Sequence, residues 1–209
     1  MNAVIQNEQY REEYNKDFVS QWDDLIGWDG REEGERNFFG RMLNIHEVKS
    51  VADIACGTGY HAIKLAAAGF QVTATDGAEN MIRQTQANAK TMGVPLVEAS
   101  VVDWRDLDTK FGANRFDALV CLGNAFTHLF DHEARRDALA SMQAVLKPGG
   151  MLLLDHRNYD SIVDQGYSSK HKYYYTGDGT DVRPVNVTRT EVKLEYDFGK
   201  RGKHYLTLY

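Results

Sequence analysis

The sequence predicts a doubly wound α/β fold built on a mostly parallel sheet. Three observations point there: short, almost wholly apolar runs, stretches of helical period between them, and glycines that close those stretches. Strands buried on both faces are apolar throughout rather than alternating, and strands that alternate with helices pair in parallel through crossovers. Residues 8–27 come first, as a helix carrying Tyr10, Tyr14, Phe18, Trp22 and Leu25 at spacings of three and four. A second helix is expected over residues 31–46. Strand one follows at 51–55, then a helix at 60–68 ended by Gly69, which suits a left-handed cap. Strand two (71–75), a helix (78–92) closed by Gly93, strand three (95–99), strand four (116–122), a helix (131–146) and strand five (151–154) continue the alternation, with Lys147-Pro148-Gly149-Gly150 as a turn. Beyond Asp155 the chain turns polar and aromatic. There the stretches VNVTRTEVKLEYDF and KHYLTLY alternate as antiparallel strands do.

Composition narrows the function. A chain of 209 residues with 43% hydrophobic and 26% charged residues suits one soluble domain with a sizeable core. The net charge of −6 argues against broad nucleic-acid binding, which needs a basic face. No apolar run approaches the roughly 20 residues that cross a bilayer, and the N-terminus MNAVIQNEQYREEYNK lacks the basic-then-apolar order of a signal peptide. Cys56 and Cys121 sit at the ends of apolar runs and read as small reduced core residues. A cytosolic protein without a disulfide is the expectation. The seven histidines include no metal-spaced pair joined to a third ligand, so no metal is expected.

The stretch VADIACGTGYHAIKLAAAGFQVTATDG, residues 51–77, carries the chemistry. Gly57-Thr58-Gly59 lies between a strand and a helix, where glycine lets the chain turn sharply and lets a ligand approach main-chain N–H groups. Asp76 ends strand two, 17 residues after Gly59, placed to accept hydrogen bonds from both hydroxyls of a ribose. Gly57-x-Gly59-x-x-Ala62 also fits a nicotinamide dinucleotide fingerprint. Asp53, four residues before Gly57, is unusual for dinucleotide sites. It resembles the first motif of S-adenosylmethionine-dependent class I methyltransferases, which have a Rossmann-like fold. Asp103 and Trp104 in VDW, suited to the amino group and face of an adenine, and the turn LKPGGMLLLD resemble that superfamily too.

Two stretches narrow the resemblance. VCLGNAFTHLF (120–130) and LLLDHRNYD (152–160), with DIACGTGYH, are similar to the glycine N-methyltransferase family, and most to its glycine/sarcosine N-methyltransferase branch. EEYNKDFVSQWDDLIGWDGR and KYYYTGDG resemble that branch as well, so the likeness runs over almost the whole chain. It implies methyl transfer from S-adenosylmethionine to the amino group of glycine and then of sarcosine, toward the compatible solute betaine. A planar guanidinium grips a carboxylate in a bidentate fork, as Lys cannot. Arg157 stands just beyond strand five, at the carboxyl edge where ligands bind in such sheets, and the resemblance gives it the substrate carboxylate. Asn124 is implied near the substrate amine, His128 at the donor side, and Tyr175 near the substrate. Tyr196 is a weaker carry-over, and Tyr173 and Tyr174 are ambiguous by one residue of register. For the cofactor the implied set is Tyr14, Trp22, Arg31 at the methionine carboxylate, Ala55, Gly57, Gly59, Asp76, Asp103, Trp104, Leu122 and His128.

The expected organisation is one domain over 1–209: an N-terminal helical lid (1–47), a cofactor-binding core (48–156) and a substrate-side antiparallel segment (157–209). The family fold ends with a helix and a hairpin beside strand five, and nothing follows HYLTLY here. A C-terminally incomplete domain with an unpaired fifth strand is the expectation. Expected partners are glycine and sarcosine, with no nucleic acid or membrane; a homo-oligomer is compatible with the sequence. Two rivals stay open at this level: a protein that binds S-adenosylmethionine without turnover, and a nicotinamide dehydrogenase.

Overall fold

The computed structural model describes residues 8–166 and 181–208. Its centre is a five-stranded parallel sheet of β1 (Ser50–Asp53), β2 (Gln71–Asp76), β3 (Glu98–Val101), β4 (Phe116–Cys121) and β5 (Leu146–Leu154), in the order β3-β2-β1-β4-β5. Helices cross between the paired strands, as the apolar runs predict. Alternate residues of each strand face opposite layers. Val51, Val72, Ala74, Ala118 and Val120 pack with Leu43, Ala62 and Leu65 on one face. Ala52, Ile54, Leu119 and Cys121 pack with Ala138, Met142 and Val145 on the other. The order reverses between β1 and β4, whose parallel register sets Asp53 against Val120. Such a reversal opens a crevice at the carboxyl ends of the strands.

The N-terminal region departs from the expected two helices. It forms α1 (Gln9–Glu13), α2 (Lys16–Val19), α3 (Trp22–Ile26), α4 (Trp28–Glu35) and α5 (Phe38–Ile45). Local capping explains the breaks. The Asn15 side chain accepts the Phe18 N–H at 3.0 Å and restarts the chain as α2. Gly27 ends α3 at φ +60, and Arg36 and Asn37, at φ +48 and +54, separate α4 from α5. The expected third strand, 95–99, begins later, at Glu98, because Pro95 has no N–H for a ladder. The Lys147–Gly150 turn lies inside β5 as an irregularity: the register with β4 jumps from Phe116↔Leu146 to Ala118↔Met151.

The remaining helices are α6 (Tyr60–Ala67), α7 (Glu79–Met92), α8 (Leu107–Phe111), α9 (His132–Val145) and α10 (Tyr159–Gln165). The predicted alternation after Asp155 is a three-stranded antiparallel sheet, β6 (Asp181–Val187), β7 (Val192–Asp197) and β8 (Lys203–Leu208). Its inward residues Val182, Leu194, Tyr196 and Leu206 join Phe18, Trp22 and Leu25 in a second core, so this sheet packs on the N-terminal helices. Among the described residues, β5 pairs with β4 alone in the main sheet.

Candidate active site

A cleft of about 760 Å³, counting its mouth, opens at the carboxyl ends of the strands. The glycine turn forms its floor. Gly57 adopts φ +56 and Gly59 φ +97, a region that favours glycine. Gly59 serves packing: a Cβ there would lie 3.0 Å from Thr85 Cγ2 on α7. Asp76 fastens the turn from below. Its Oδ2 accepts the Gly57 N–H and its Oδ1 the Ala78 N–H, both at 2.9 Å. Each oxygen keeps a further lone pair for a ligand hydroxyl. Burial raises the Asp76 carboxyl to about 6, against those two N–H donors. The next residue, Gly77, leaves room for Tyr10, whose hydroxyl a Cβ would strike.

Asp103 and Trp104 form another wall. Burial would raise the Asp103 carboxyl, but the Arg105 guanidinium and main-chain N–H and Arg11 outweigh it and hold it below its usual value. The Arg105 fork meets it at 2.7 and 2.8 Å. Trp104 Nε1 donates to the Ile54 carbonyl at 2.5 Å, which sets its ring at the cleft.

Arg31 is 4% exposed, a burial that demands partners. Its Nε donates to Glu35 Oε1 at 2.7 Å, and Glu35 also meets His61 Nε2 at 3.0 Å. The guanidinium lies 4.8 Å over the Tyr60 ring. His128, 6% exposed, is pushed down to about 4 by burial and stays neutral at physiological pH. Its Nε2 meets Tyr14 Oη at 3.2 Å. Its Nδ1 is buried and has no hydrogen-bond partner among the described residues.

The cleft thus gathers Tyr14, Trp22, Arg31, Ala55, Gly57, Asp76, Asp103, Trp104, Leu122 and His128. Four expected residues are placed elsewhere. Gly59 stands behind the turn. Asn124 and Arg157 meet at a corner outside the cleft wall, which Gly123 and Ala125 complete. Asn124 Oδ1 accepts the Arg157 main-chain N–H at 2.9 Å and Tyr159 Oη at 3.0 Å. Both lone pairs of that oxygen are taken, so here it braces the loop after β5 rather than facing an amine. Tyr196, 1% exposed, stacks edgewise on Phe18 at 5.3 Å, because alternation along β7 turns it into the apolar core. Tyr173, Tyr174 and Tyr175 lie outside the described residues. Sequence reasoning missed Tyr10, Thr58 and His61 as cleft residues, and Tyr159 as the partner of Asn124. Gly77 is the one local hint, since a second glycine beside Asp76 marks a close approach.

Asp53 does not line the cleft. It is 1% exposed, its Oδ1 accepts the Ala55 N–H at 3.4 Å, and burial raises it to about 7. Both cysteines are buried free thiols, which burial pushes up. Among the described residues, no group of three or more His, Cys, Asp or Glu side chains is placed to hold a metal, and no helix is long and apolar enough to cross a membrane.

Comparison with known proteins bears on this cleft. The methyltransferase-domain family matches residues 51–150, from β1 into β5. A glycine/sarcosine N-methyltransferase of Aphanothece halophytica is 42% identical over 206 residues, covering 99% of this chain and 77% of that protein. The chain belongs to the glycine/sarcosine N-methyltransferase family. A relative of the same name from Halorhodospira halochloris is 40% identical, over 99% of this chain and 76% of its own. Among solved structures, an S-adenosylmethionine-dependent methyltransferase from Clostridium acetobutylicum superposes with a TM-score of 0.61 at 16% identity, covering 98% of this chain and 77% of that one. The fold of this family member is therefore that of the class I S-adenosylmethionine-dependent methyltransferases, with a helical segment added at the N-terminus.

Proposed function

We propose that this protein transfers a methyl group from S-adenosylmethionine to the amino group of glycine and of sarcosine, giving sarcosine and dimethylglycine on the way to betaine. The likeness to glycine/sarcosine N-methyltransferases across 99% of the chain carries this reading. The cleft supports it. A glycine turn fastened to a strand-end carboxylate whose two oxygens each keep a lone pair, at the floor of a cleft walled by Asp103 and Trp104, fits an adenosyl group. When bound, the cofactor supplies a sulfonium-linked methyl as the electrophile.

The chain's own residues bind, orient and exclude water. Asp76 offers its free lone pairs to the ribose hydroxyls, and Asp103 with Trp104 takes the adenine. Arg31, already held by Glu35, presents its guanidinium to the methionine carboxylate. Tyr14, Trp22 and His128 close the donor side. Neutral His128 adds no charge to repel a cation, and the aromatic faces favour one. The N-terminal helices would act as a lid that excludes water, which would strengthen the fixed dipoles of the site.

At the acceptor corner, Arg157 would grip the amino-acid carboxylate; Tyr175, outside the described residues, is a further substrate residue that the family likeness implies. Asn124 sets Arg157 by holding its main-chain N–H. To touch the amine directly, Asn124 would exchange its Tyr159 bond for the substrate. A cytosolic setting suits two buried thiols.

The test is methyl transfer from labelled S-adenosylmethionine to glycine, sarcosine and dimethylglycine. Turnover of the first two is expected. Cofactor binding without transfer to any of the three amines would leave a binding protein in place of an enzyme.

A further inference from the structure

One carboxylate outside the expected set ties three elements together. Asp23, on α3, accepts the Thr58 hydroxyl at 2.5 Å and the Trp28 indole N–H at 3.1 Å on Oδ1, and the Asn88 amide at 2.8 Å on Oδ2. Asn88, on α7, gives a second bond to the Thr58 carbonyl at 2.9 Å. Gln84 in turn donates to Asn88 Oδ1 at 3.0 Å, which orients that amide. Thr58 is the centre of the glycine turn, 1% exposed and at the cleft. Its hydroxyl and carbonyl are thus both held from outside the turn. Trp28 packs edgewise on Tyr60 at 5.5 Å, and Tyr60 lies beneath Arg31. Trp22, next to Asp23 in α3, lines the cleft, as does Ile26 one turn later.

We infer that Asp23 is a positioning residue through which the N-terminal segment and the glycine turn close on the cofactor as one unit. The segment supplies Tyr10, Tyr14, Trp22 and Arg31 to the cleft, while the turn supplies Gly57 and Thr58. Hydrogen bonds to a carboxylate are stronger than neutral ones, and here three donors from three elements share one. Asn88 adds a bond that the segment does not touch, so the turn keeps part of its support when Asp23 is lost. What Asp23 provides is a hydrogen-bonded link from the segment to Thr58 itself, beside the contacts that Glu35, Arg31 and Trp28 make with His61 and Tyr60 just past the turn. A ligand held by both therefore gains from that link, and it dissociates faster when the link is cut, as for any element whose closed state the ligand favours.

The inference rests on the adenosyl cofactor occupying the cleft, not on which amine is methylated. Titration of the parent protein with S-adenosylhomocysteine tests that reading first, and binding without amine turnover leaves the inference standing. The variants are Asp23→Asn, Thr58→Val and Thr58→Ser. Asp23→Asn and Thr58→Val are each expected to weaken S-adenosylhomocysteine about tenfold, ~1.4 kcal/mol, mainly through faster dissociation. The glycine KM should stay within about twofold, given saturating cofactor. S-adenosylhomocysteine should protect Lys16 from trypsin in the parent and fail to do so in both variants. Thr58→Ser, which keeps the hydroxyl, should restore affinity and protection. The double variant should bind no worse than the weaker single, since both cut one link. Parental affinity in Thr58→Val, or losses that add in the double variant, would overturn the inference. So would an equal loss in Thr58→Ser, because volume and not the hydroxyl would then decide. The Val and Ser pair keeps this test decisive even if Asp23→Asn destabilises α3.

Discussion

The cofactor half of the cleft and the acceptor corner are built differently. Around the glycine turn, main-chain groups are what is held: Gly57 and Ala78 give their N–H groups to Asp76, Cys56 gives its own to the Thr75 carbonyl at 3.0 Å, and the Gly57 and Thr58 carbonyls accept from Thr85 and Asn88 at 2.7 and 2.9 Å. The Gly57 and Cys56 bonds run from the end of β1 to that of its parallel neighbour β2, so this part of the geometry follows from the fold. At the acceptor corner one side chain, that of Asn124, is the hub. Asn124, itself at φ +62, joins Arg157, Tyr159 and Thr127, and Asp155 takes the Asn124 N–H at 2.9 Å. The corner rides on the loops after β4 and β5, whereas the turn is locked between β1 and α6. A shared cofactor explains the first region; the second can be altered for a different acceptor without disturbing the sheet. That division gives two independent handles on the enzyme.

The largest effect should come from Asp76→Ala. It removes the proposed ribose acceptors and leaves the Gly57 and Ala78 N–H groups without their partner. Loss of two bonds to a charged acceptor, each about 1.5–3 kcal/mol, predicts at least a hundredfold weaker S-adenosylhomocysteine by calorimetry. The glycine KM, measured at saturating cofactor, should change little. If glycine KM rises as much as cofactor Kd, the two halves are not separable.

Arg157→Lys probes the other half. Lys keeps the charge and loses the fork. With a charge-assisted bond near 1.5–3 kcal/mol, glycine and sarcosine KM should rise about tenfold to a hundredfold, and S-adenosylhomocysteine affinity should hold within about twofold. A matching fall in cofactor affinity would move Arg157 from the acceptor corner to the donor side.

The same division governs what could be read in advance. The sheet, its order of elements and the glycine turn with Asp76 were legible because they depend on short-range pattern: apolar runs, glycine stops and a carboxylate at a strand end. Of the implied cofactor residues, Ala55, Gly57, Asp76, Asp103, Trp104 and Leu122 line the cleft because they stand at or just past strand ends whose direction the fold dictates, whereas Tyr14, Trp22 and Arg31 reach it from the N-terminal helices. The N-terminal helices were legible as apolar faces but not as five pieces, because Asn15, Gly27, Arg36 and Asn37 set the breaks through their own backbone and capping choices. Contacts between distant segments left no local mark. Asp23 and Thr58 are 35 residues apart, and Asp23 and Asn88 are 65 apart. Tyr196 was misplaced for a related reason. A tyrosine on an alternating strand has two faces open to it, and only the packing of β7 against Phe18 decides between them.

Asp53 offers the smallest and most diagnostic effect, because it belongs to the turn's foundation without touching the cleft. Burial first, then the nearby Asp76 charge, raises it from the ordinary value of 3.8 to about 7, against the Ala55 N–H. Its Oδ2 is buried without a hydrogen bond among the described residues. The sign follows from proton counting. Between about pH 4 and pH 7 the folded protein keeps a proton that the unfolded chain has released, so folding takes up a proton and stability falls as pH rises across that window. Above pH 7 the fold carries a buried, poorly solvated charge. Asp53→Asn stays neutral and should flatten this slope. Near pH 4 the variant should match the parent or melt slightly lower, since its amide N–H groups also lack partners. At pH 8 it should melt higher by about 2–4 °C, on the scale of ~1 kcal/mol in a chain of this size. Thermal melts at pH 5 and pH 8 settle the matter. An equal difference between variant and parent at both values would mean that the carboxylate's charge is not what Asp53 contributes to the strand end.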